Sequence, residues 1–415
     1  MRSIIFLPVV FLVLVSPGLA QDSGEMAICR RELWNISPLT GWQNNPNDAA
    51  TEIANLRKGL QLGYVASRYN VERTIALVKT MQTRRPSAET KRYVDFLQRE
   101  YLPHARKSAG VYGLPNGRAC FNALIHRYTS ASINSNQLDS IAHDLRKRAA
   151  QLPSPVIDAP LRFSTTNQVL AHADSLLKRA MSAVPQWFAA VPNEPAPRVA
   201  IWPDADPNGA SAIYIPASDT SEAKILINAA SVMGGEGGLY LDRLIFHESV
   251  PGHHLQAIYA KHARKAASAT PNTAFVEGWA VYASNLADEM GLYTSETTRA
   301  PVNNSLMDDA VTFLVQAGLH VHRWTPKQAV DTIVKLSGVP REEADQQVQY
   351  FLAAPAHALA YPVGARTIEQ LRNKAMRHLG AHFDIKQFHR IVLERGPMPL
   401  SELTKIVDQW IRDSD

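Results

Sequence analysis

Apolar residues recur every three or four positions in the first part of the chain, in Ile53-Leu56-Leu60 and again in Val94-Leu97-Tyr101. That interval lines one face of an α-helix. The pattern predicts helices over about 48–148, with turn signals at Arg85-Pro86 and Leu114-Pro-Asn-Gly117. A proline-rich connection at 152–160 leads into another helix over about 168–184. Within 192–228 the character changes. Three short runs, 198–202, 212–215 and 224–227, have β-type composition and are separated by Pro, Gly, Asn and Asp, which predicts a small sheet. Beyond Gly238 the chain reads as helical to its end, with breaks at Pro251-Gly252, Thr325-Pro326, Val339-Pro340, Pro362 and Gly396-Pro397. No internal repeat is visible. The expected fold class is mainly α, with one small β-sheet just ahead of the most histidine-rich helix.

Composition adds an address. Arg2, an apolar run over 4–15, and then Ser16, Pro17, Gly18, Leu19 and Ala20 read as an export signal cut after Ala20. The run is short for a bilayer span, and no Cys lies near the cut to carry a lipid anchor. The expected organisation is a signal peptide at 1–20, an extension at 21–47 and a helical domain at 48–415. That domain divides into a helical part at 48–185, the sheet at 192–228 and the metal-site and carboxyl-terminal helices at 239–415. A periplasmic or secreted protein follows, with no integral membrane segment after cleavage. The formal net charge of +5 comes from basic residues scattered along helices, which excludes a nucleic-acid footprint. Cys29 and Cys120 are the only cysteines. Export permits a disulfide between them, and two unpaired thiols are the alternative. Neither belongs to a CxxC pair, so a cysteine-based metal site is excluded.

The candidate chemistry is concentrated in His247, Glu248, His253 and His254. In an HExxH helix, two histidines four apart bind one zinc ion and the glutamate acts as general base. Here the fourth position after His247 is Pro251. A regular helix would put His253 about 9 Å further along its axis, too far to share a tetrahedral ion. Pro251 has no N–H for the His247 carbonyl and its ring clashes there, while Gly252 opens conformations closed to other residues. Together they can loop two residues out and bring the next histidine back, so that the motif is HExxH with Pro-Gly inserted. His253 is the favoured second ligand, and His254 the alternative. Glu277, set among Phe275, Val276, Trp279 and Ala280, is costly to bury without a cation and is the candidate third ligand. Three protein ligands leave a fourth position open, which is the catalytic arrangement.

HESVPGHHLQ followed by FVEGWAVY resembles the bacterial family called domain of unknown function 885, whose members look like zinc peptidases of the gluzincin type. The resemblance runs from about Leu56 to the carboxyl end. It takes in Gly59-Leu-Gln-Leu-Gly63, Leu114-Pro-Asn-Gly117, Gly318-Leu-His320, Ala358-Leu-Ala-Tyr361 with Gly364, and the segment from His382 to His389. It implies a multi-helix gluzincin-like metallopeptidase fold with one zinc ion in a cleft. The ligands would be His247, His253 (or His254) and Glu277, with Glu248 as general base. Peptidases that insert a residue into HExxH, such as dipeptidyl peptidase III, show by analogy that a stretched motif still binds zinc. The chain departs from the family's usual pattern at Ser284, near Asp309, at Gln316 and at His357, positions that bear on the surroundings of the ligands.

The expected activity is zinc-dependent hydrolysis of amide bonds in short peptides. Tyr361 is the first candidate for an oxyanion donor, with His320 and His389 behind it. The run 224–227 is read either as an edge strand for a peptide or as a buried structural strand, with Asn228 at its end as a substrate contact. Arg366 and Arg372 are candidates to capture a terminal carboxylate, and His389 is also a candidate for substrate binding. The alternatives are a non-catalytic zinc-binding protein descended from a peptidase, or a hydrolase of a non-peptide amide.

Overall fold

The computed structural model describes Cys29 and residues 48–84, 86–152, 161–203, 205, 209–233, 237–263 and 272–414. The expected signal peptide, the rest of the 21–47 extension and most of the 152–160 connection lie outside these residues. Helices α1 (Ala49–Leu62), α2 (Arg68–Arg84) and α3 (Ala88–Phe96) come first. They enclose a core of their own from Ile53, Leu56, Val71, Val78, Tyr93 and Leu97, and two of these are the recurring apolar positions of α1. Helices α4 (Gly117–Thr129), α5 (Leu138–Ala149) and α6 (Thr166–Trp187) follow. Thr165 and Gln168 form a reciprocal cap that starts α6. Cys120 on α4 is joined to Cys29 by a disulfide, so the thiol alternative does not hold.

The sheet forms where the β-type runs predict it, from β1 (Arg198–Ile201), β2 (Ala212–Ile215) and β3 (Lys224–Ile227). Its order corrects one expectation. The order is β1-β3-β2, with β3 parallel to β1 and antiparallel to β2. Lys224–Ile227 is therefore the central strand, not an edge, and Ile225 and Ile227 are fully buried. Strands β1 and β2 are the outer strands of the sheet among the described residues. Asn228 donates its amide to Ser211 O at 2.8 Å, which fixes 211 and 228 as a hydrogen-bonded pair. Bonded and non-bonded pairs alternate along an antiparallel ladder. Tyr214, opposite Ile225, therefore turns its backbone amide away from β3.

The remaining helices are α7 (Ala229–Met233), α8 (Leu241–Glu248), α9 (His253–Lys261), α10 (Thr273–Glu289), α11 (Glu296–Asn303) and α12 (Ser305–His320). They continue with α13 (Pro326–Ser337), α14 (Arg341–Ala353), α15 (Ala360–Leu379), α16 (Ile385–Leu393) and α17 (Leu400–Ser414). Pro326 begins α13 and Pro340 precedes α14, where a missing N–H costs nothing. Pro362 does not break the chain as expected. It sits in the first turn of α15, and the interruption comes earlier, at Ala356, whose φ is +66°. Helices α10 and α15 lie against each other at glycine. A Cβ on Gly278 would fall 2.4 Å from Gly364 Cα, and one on Gly364 would fall 1.8 Å from Ala274 O. The two backbones touch, so neither position tolerates a side chain. No helix of the described residues is long and apolar enough to cross a membrane.

Two candidate site histidines belong to this core. His320 accepts from the Val111 amide on Nδ1 at 3.3 Å and meets Phe351 O with Nε2 at 3.1 Å. His389 meets Trp187 O with Nδ1 at 2.9 Å and the Tyr282 hydroxyl with Nε2 at 2.8 Å. Each ring has one nitrogen donating and one accepting, so both are neutral and no ring nitrogen remains for substrate. They tie separate helices together.

Burial pulls the pKa of His320 and of His389 down to about 3. The unfolded chain protonates these rings near pH 6.5 and the folded chain does not, so stability is full above 6.5 and falls as pH drops toward 3. At pH 5 each ring should cost about 2 kcal/mol. In chelator, His389→Gln should be less stable than wild type at pH 7 but lose less stability on going to pH 5, as read by urea unfolding. An unchanged pH slope would show that His389 is already charged in the fold.

Candidate metal centre

Helix α8 stops at Glu248 and α9 restarts at His253. The cause is local. Pro251 cannot donate to the His247 carbonyl, so the helical ladder ends and residues 249–252 leave the axis. Gly252 then lies directly on that carbonyl: a Cβ here would be 1.9 Å from His247 O and 2.5 Å from Phe246 O. Two hydrogen bonds hold the detour. The His254 amide donates to Ser249 O at 3.0 Å, and Trp279 Nε1 of α10 donates to Pro251 O at 3.0 Å. The chain thereby brings together two rings that are six residues apart. The His247 and His253 centroids are 4.8 Å apart with the rings at 86°.

Helix α10 supplies the third group. Glu277 Oε2 lies 3.7 Å from His247 Nε2 and 3.5 Å from His253 Nε2. One ligand atom from each of the three residues lies within 4.8 Å of the others. Ligands about 2.0–2.1 Å from a tetrahedral ion stand about 3.3 Å apart; the two distances from Glu277 are within a few tenths of an ångström of that, while the two imidazoles, within 4.8 Å of each other, would have to close further. Two imidazoles and a carboxylate are also the ligand types zinc accepts.

The electrostatics are those of an interior site. Burial pulls the His247 pKa down to about 4. The same burial acts on His253, but Glu277 and then Glu248 outweigh it and hold His253 at about 9. Glu277 is held well below the usual carboxylate range, because the two imidazoles outweigh its burial. Glu248 behaves in the opposite way. Burial raises it to about 7, against the opposing pull of His253 and of the outward-facing Tyr214 amide on β2. Glu248 therefore sits under the outer strand β2.

The other candidates divide. Tyr361, near the start of α15, has a buried hydroxyl that makes no hydrogen bond of normal length. It lies close enough to Glu277 and Glu248 for both carboxylates to add to the upward shift that burial gives its pKa. His254 stands apart from the ligand cluster and meets the Tyr214 hydroxyl with Nδ1 at 3.1 Å, pinning α9 to β2. Asn228 is buried and donates Nδ2 to Ala210 O at 3.1 Å, at the closed end of the ladder. Arg366 is half-buried and faces Asp309 and Glu369. Arg372 forms a two-pronged ion pair with Glu289, 2.7 Å on each prong. Two residues near the cluster, Tyr214 and Tyr350, are not candidates in the sequence, and His357 enters only as a departure from the family's pattern. The Tyr350 hydroxyl lies 2.5 Å from His357 Nδ1.

The sequence profile of a family described as a bacterial protein of unknown function, DUF885, matches residues 47–407. The chain belongs to this family. As a DUF885 protein it shares its fold with a candidate lipoprotein from Colwellia psychrerythraea at a TM-score of 0.75 and 21% identity, over 88% of this chain and 74% of that one. A second likeness is to a candidate lipoprotein of unknown function from Shewanella oneidensis, with a TM-score of 0.61 and 17% identity, over 93% and 81% of the two chains. At these identities the likeness is one of fold. No curated protein matches the sequence.

Two outcomes follow for this DUF885 protein. Gly252→Ala forces a methyl group into the His247 carbonyl, so it should destabilise the fold by about 1–3 kcal/mol and weaken zinc binding on the order of tenfold or more. Both are read by thermal unfolding and by competition with a zinc chelator. Because only a neutral imidazole binds a metal ion, a zinc ion held by this cluster would have to displace the proton that His253 carries at pH 7. Calorimetry in buffers of different ionisation enthalpy should show proton release, and apparent affinity should rise with pH until about 9. Affinity that is flat from pH 6 to 9 would contradict a charged His253.

Proposed function

We propose that this protein is an exported zinc-dependent hydrolase that cleaves amide bonds of short peptides. The observation that carries the reading is the convergence of His247, His253 and Glu277 within 4.8 Å, with buried Glu248 beside them under an outer strand. When bound, a zinc ion supplies Lewis acidity to a carbonyl oxygen and lowers the pKa of water. The chain's own residues do the rest. Glu248 takes a proton from water as the water oxygen bonds to the carbonyl carbon, and it gives that proton to the amide nitrogen as the C–N bond breaks. One water is consumed, and a carboxyl and an amine are released. The Tyr214 amide is engaged by Glu248, and the outward carbonyl of the same residue offers backbone pairing to an extended substrate along β2, which moves this role from the run 224–227. Tyr361 holds a buried hydroxyl near both carboxylates and is placed to donate to the carbonyl oxygen as it gains charge. Export is supported by the signal-like first twenty residues, by the Cys29–Cys120 disulfide and by the lipoprotein descriptions of the two structural relatives.

The test combines metal analysis with mass-spectrometric profiling of peptide cleavage. Wild-type protein should hold one zinc ion and cut peptides from a mixed library. Glu248→Gln should keep the metal and lose activity by a factor on the order of a thousand or more. Wild-type and Glu248→Gln proteins that both hold zinc and both leave every peptide intact would point to a binding protein instead.

A further inference from the structure

Near Glu277, on elements that supply none of the proposed ligands, the chain makes an unusual turn. Ala356 has a φ of +66°, a left-handed conformation that a residue with a side chain adopts only when its surroundings impose it. The restraint is visible: the Ala356 amide donates to Oε1 of Gln316, a fully buried side chain on α12, at 3.1 Å. The next residue is His357. Its Nδ1 lies 2.5 Å from the Tyr350 hydroxyl of α14. The Tyr128 ring packs edge-on at 4.9 Å and the Tyr361 ring stands at 6.2 Å. Its Nε2 makes no hydrogen bond among the described residues and is not among the buried polar atoms left without a partner, so it is open to the surroundings.

The hydrogen bond couples the ring proton to the phenol. A phenol is a far weaker acid than an imidazolium, and burial together with Glu277 makes Tyr350 weaker still, so Tyr350 keeps its proton. Burial lowers the pKa of His357, so the ring is neutral. With the Tyr350 hydroxyl donating to Nδ1, the one ring proton is on Nε2. A neutral imidazole held in this way is a hydrogen-bond donor with no charge to lose. The His357 ring stands 6.2 Å from that of Tyr361, and Glu277 acts electrostatically on His357, Tyr350 and Tyr361 alike, so all three lie within its electrostatic reach.

We propose that His357, its tautomer fixed by Tyr350 and its turn fixed by Gln316, presents Nε2–H to the carbonyl oxygen of a bound peptide, as a second donor beside Tyr361. No proton is transferred: the donor strengthens its hydrogen bond as charge develops on that oxygen. The assignment rests on the peptide-hydrolase reading, and it names the group that would make the carbonyl site two-pronged.

Three variants and three measurements test it on the zinc-loaded, full-length protein. His357→Phe should lose about a hundredfold in kcat, with KM and zinc content little changed. His357→Gln, which restores an N–H donor, should recover most of that loss. Tyr350→Phe keeps the ring and should fall between the two. Nitrogen-15 NMR should show His357 as the Nε2–H tautomer in wild type and as a mixture in Tyr350→Phe, a readout independent of turnover. As a second probe, a dipeptide phosphonate, whose tetrahedral oxygens imitate a carbonyl under attack, should bind wild type on the order of tenfold more tightly than His357→Phe. An active wild type whose kcat survives His357→Phe would overturn the donor and leave the hydrolase standing. A wild type that cuts no peptide, yet binds the phosphonate through His357, would overturn the hydrolase and keep the donor. A ring found as the Nδ1–H tautomer would overturn the Tyr350 assignment whatever the kinetics.

Discussion

Even partly burying the carboxylate of Glu277, whose side chain stays 22% exposed, is costly unless positive charge or donors face it, and what faces it are two imidazole nitrogens at 3.5 and 3.7 Å. Much of the surrounding structure works to bring those three atoms together. The loop at 249–252 folds the second histidine back onto the first, and it exists because Pro251 cannot continue α8 and because Gly252 can lie on the His247 carbonyl. Trp279, two residues beyond Glu277, donates to Pro251 O. The helix that offers the carboxylate is thereby fastened to the loop that places the imidazoles. On its other side, α10 meets α15 backbone to backbone at Gly278 and Gly364, which draws Tyr361 toward the same carboxylate. A change in any of these contacts moves a ligand.

Most of this could be read in the sequence where the cause is local. Helical spacing in α1 and α3, the three strands, and the stops at Pro326 and Pro340 are each set by residues within a few positions of one another, and the structure places them where the pattern does. The detour at Pro251-Gly252 is local too, and so is the preference for His253 over His254 in the cluster. What the sequence did not disclose is pairing at a distance. The composition of Lys224–Ile227 marks a strand but not its neighbours, so its central place between β1 and β2 was unreadable, and with it the outer edge at Tyr214. His320 and His389 look like chemistry in one dimension because histidine is chemically versatile. In three dimensions each has both nitrogens committed to groups tens to hundreds of residues away. His357 is the converse case. The family pattern marks it and Gln316 as departures but gives neither a role, since Tyr350 and the restraining Gln316 come from separate helices.

The two glutamates at the centre show why neighbouring residues of one type need not share a role. Glu277 is pulled down by the two imidazoles it meets and stays ionised, as a group that holds a cation must. Glu248 is adjacent in sequence to one of those imidazoles, but burial governs it and lifts it to about 7. A carboxylate poised there can both accept and return a proton near neutral pH, which one held as low as Glu277 cannot do efficiently. The division follows from helix geometry. His247 and Glu248 are consecutive, so their side chains leave the helix about 100° apart; one turns toward Glu277 and the other toward the Tyr214 edge. Pairs of titratable groups driven apart in this way are a physical mark of acid–base sites. Here the separation comes from one helical step and one strand edge, so it belongs to the backbone as much as to the side chains.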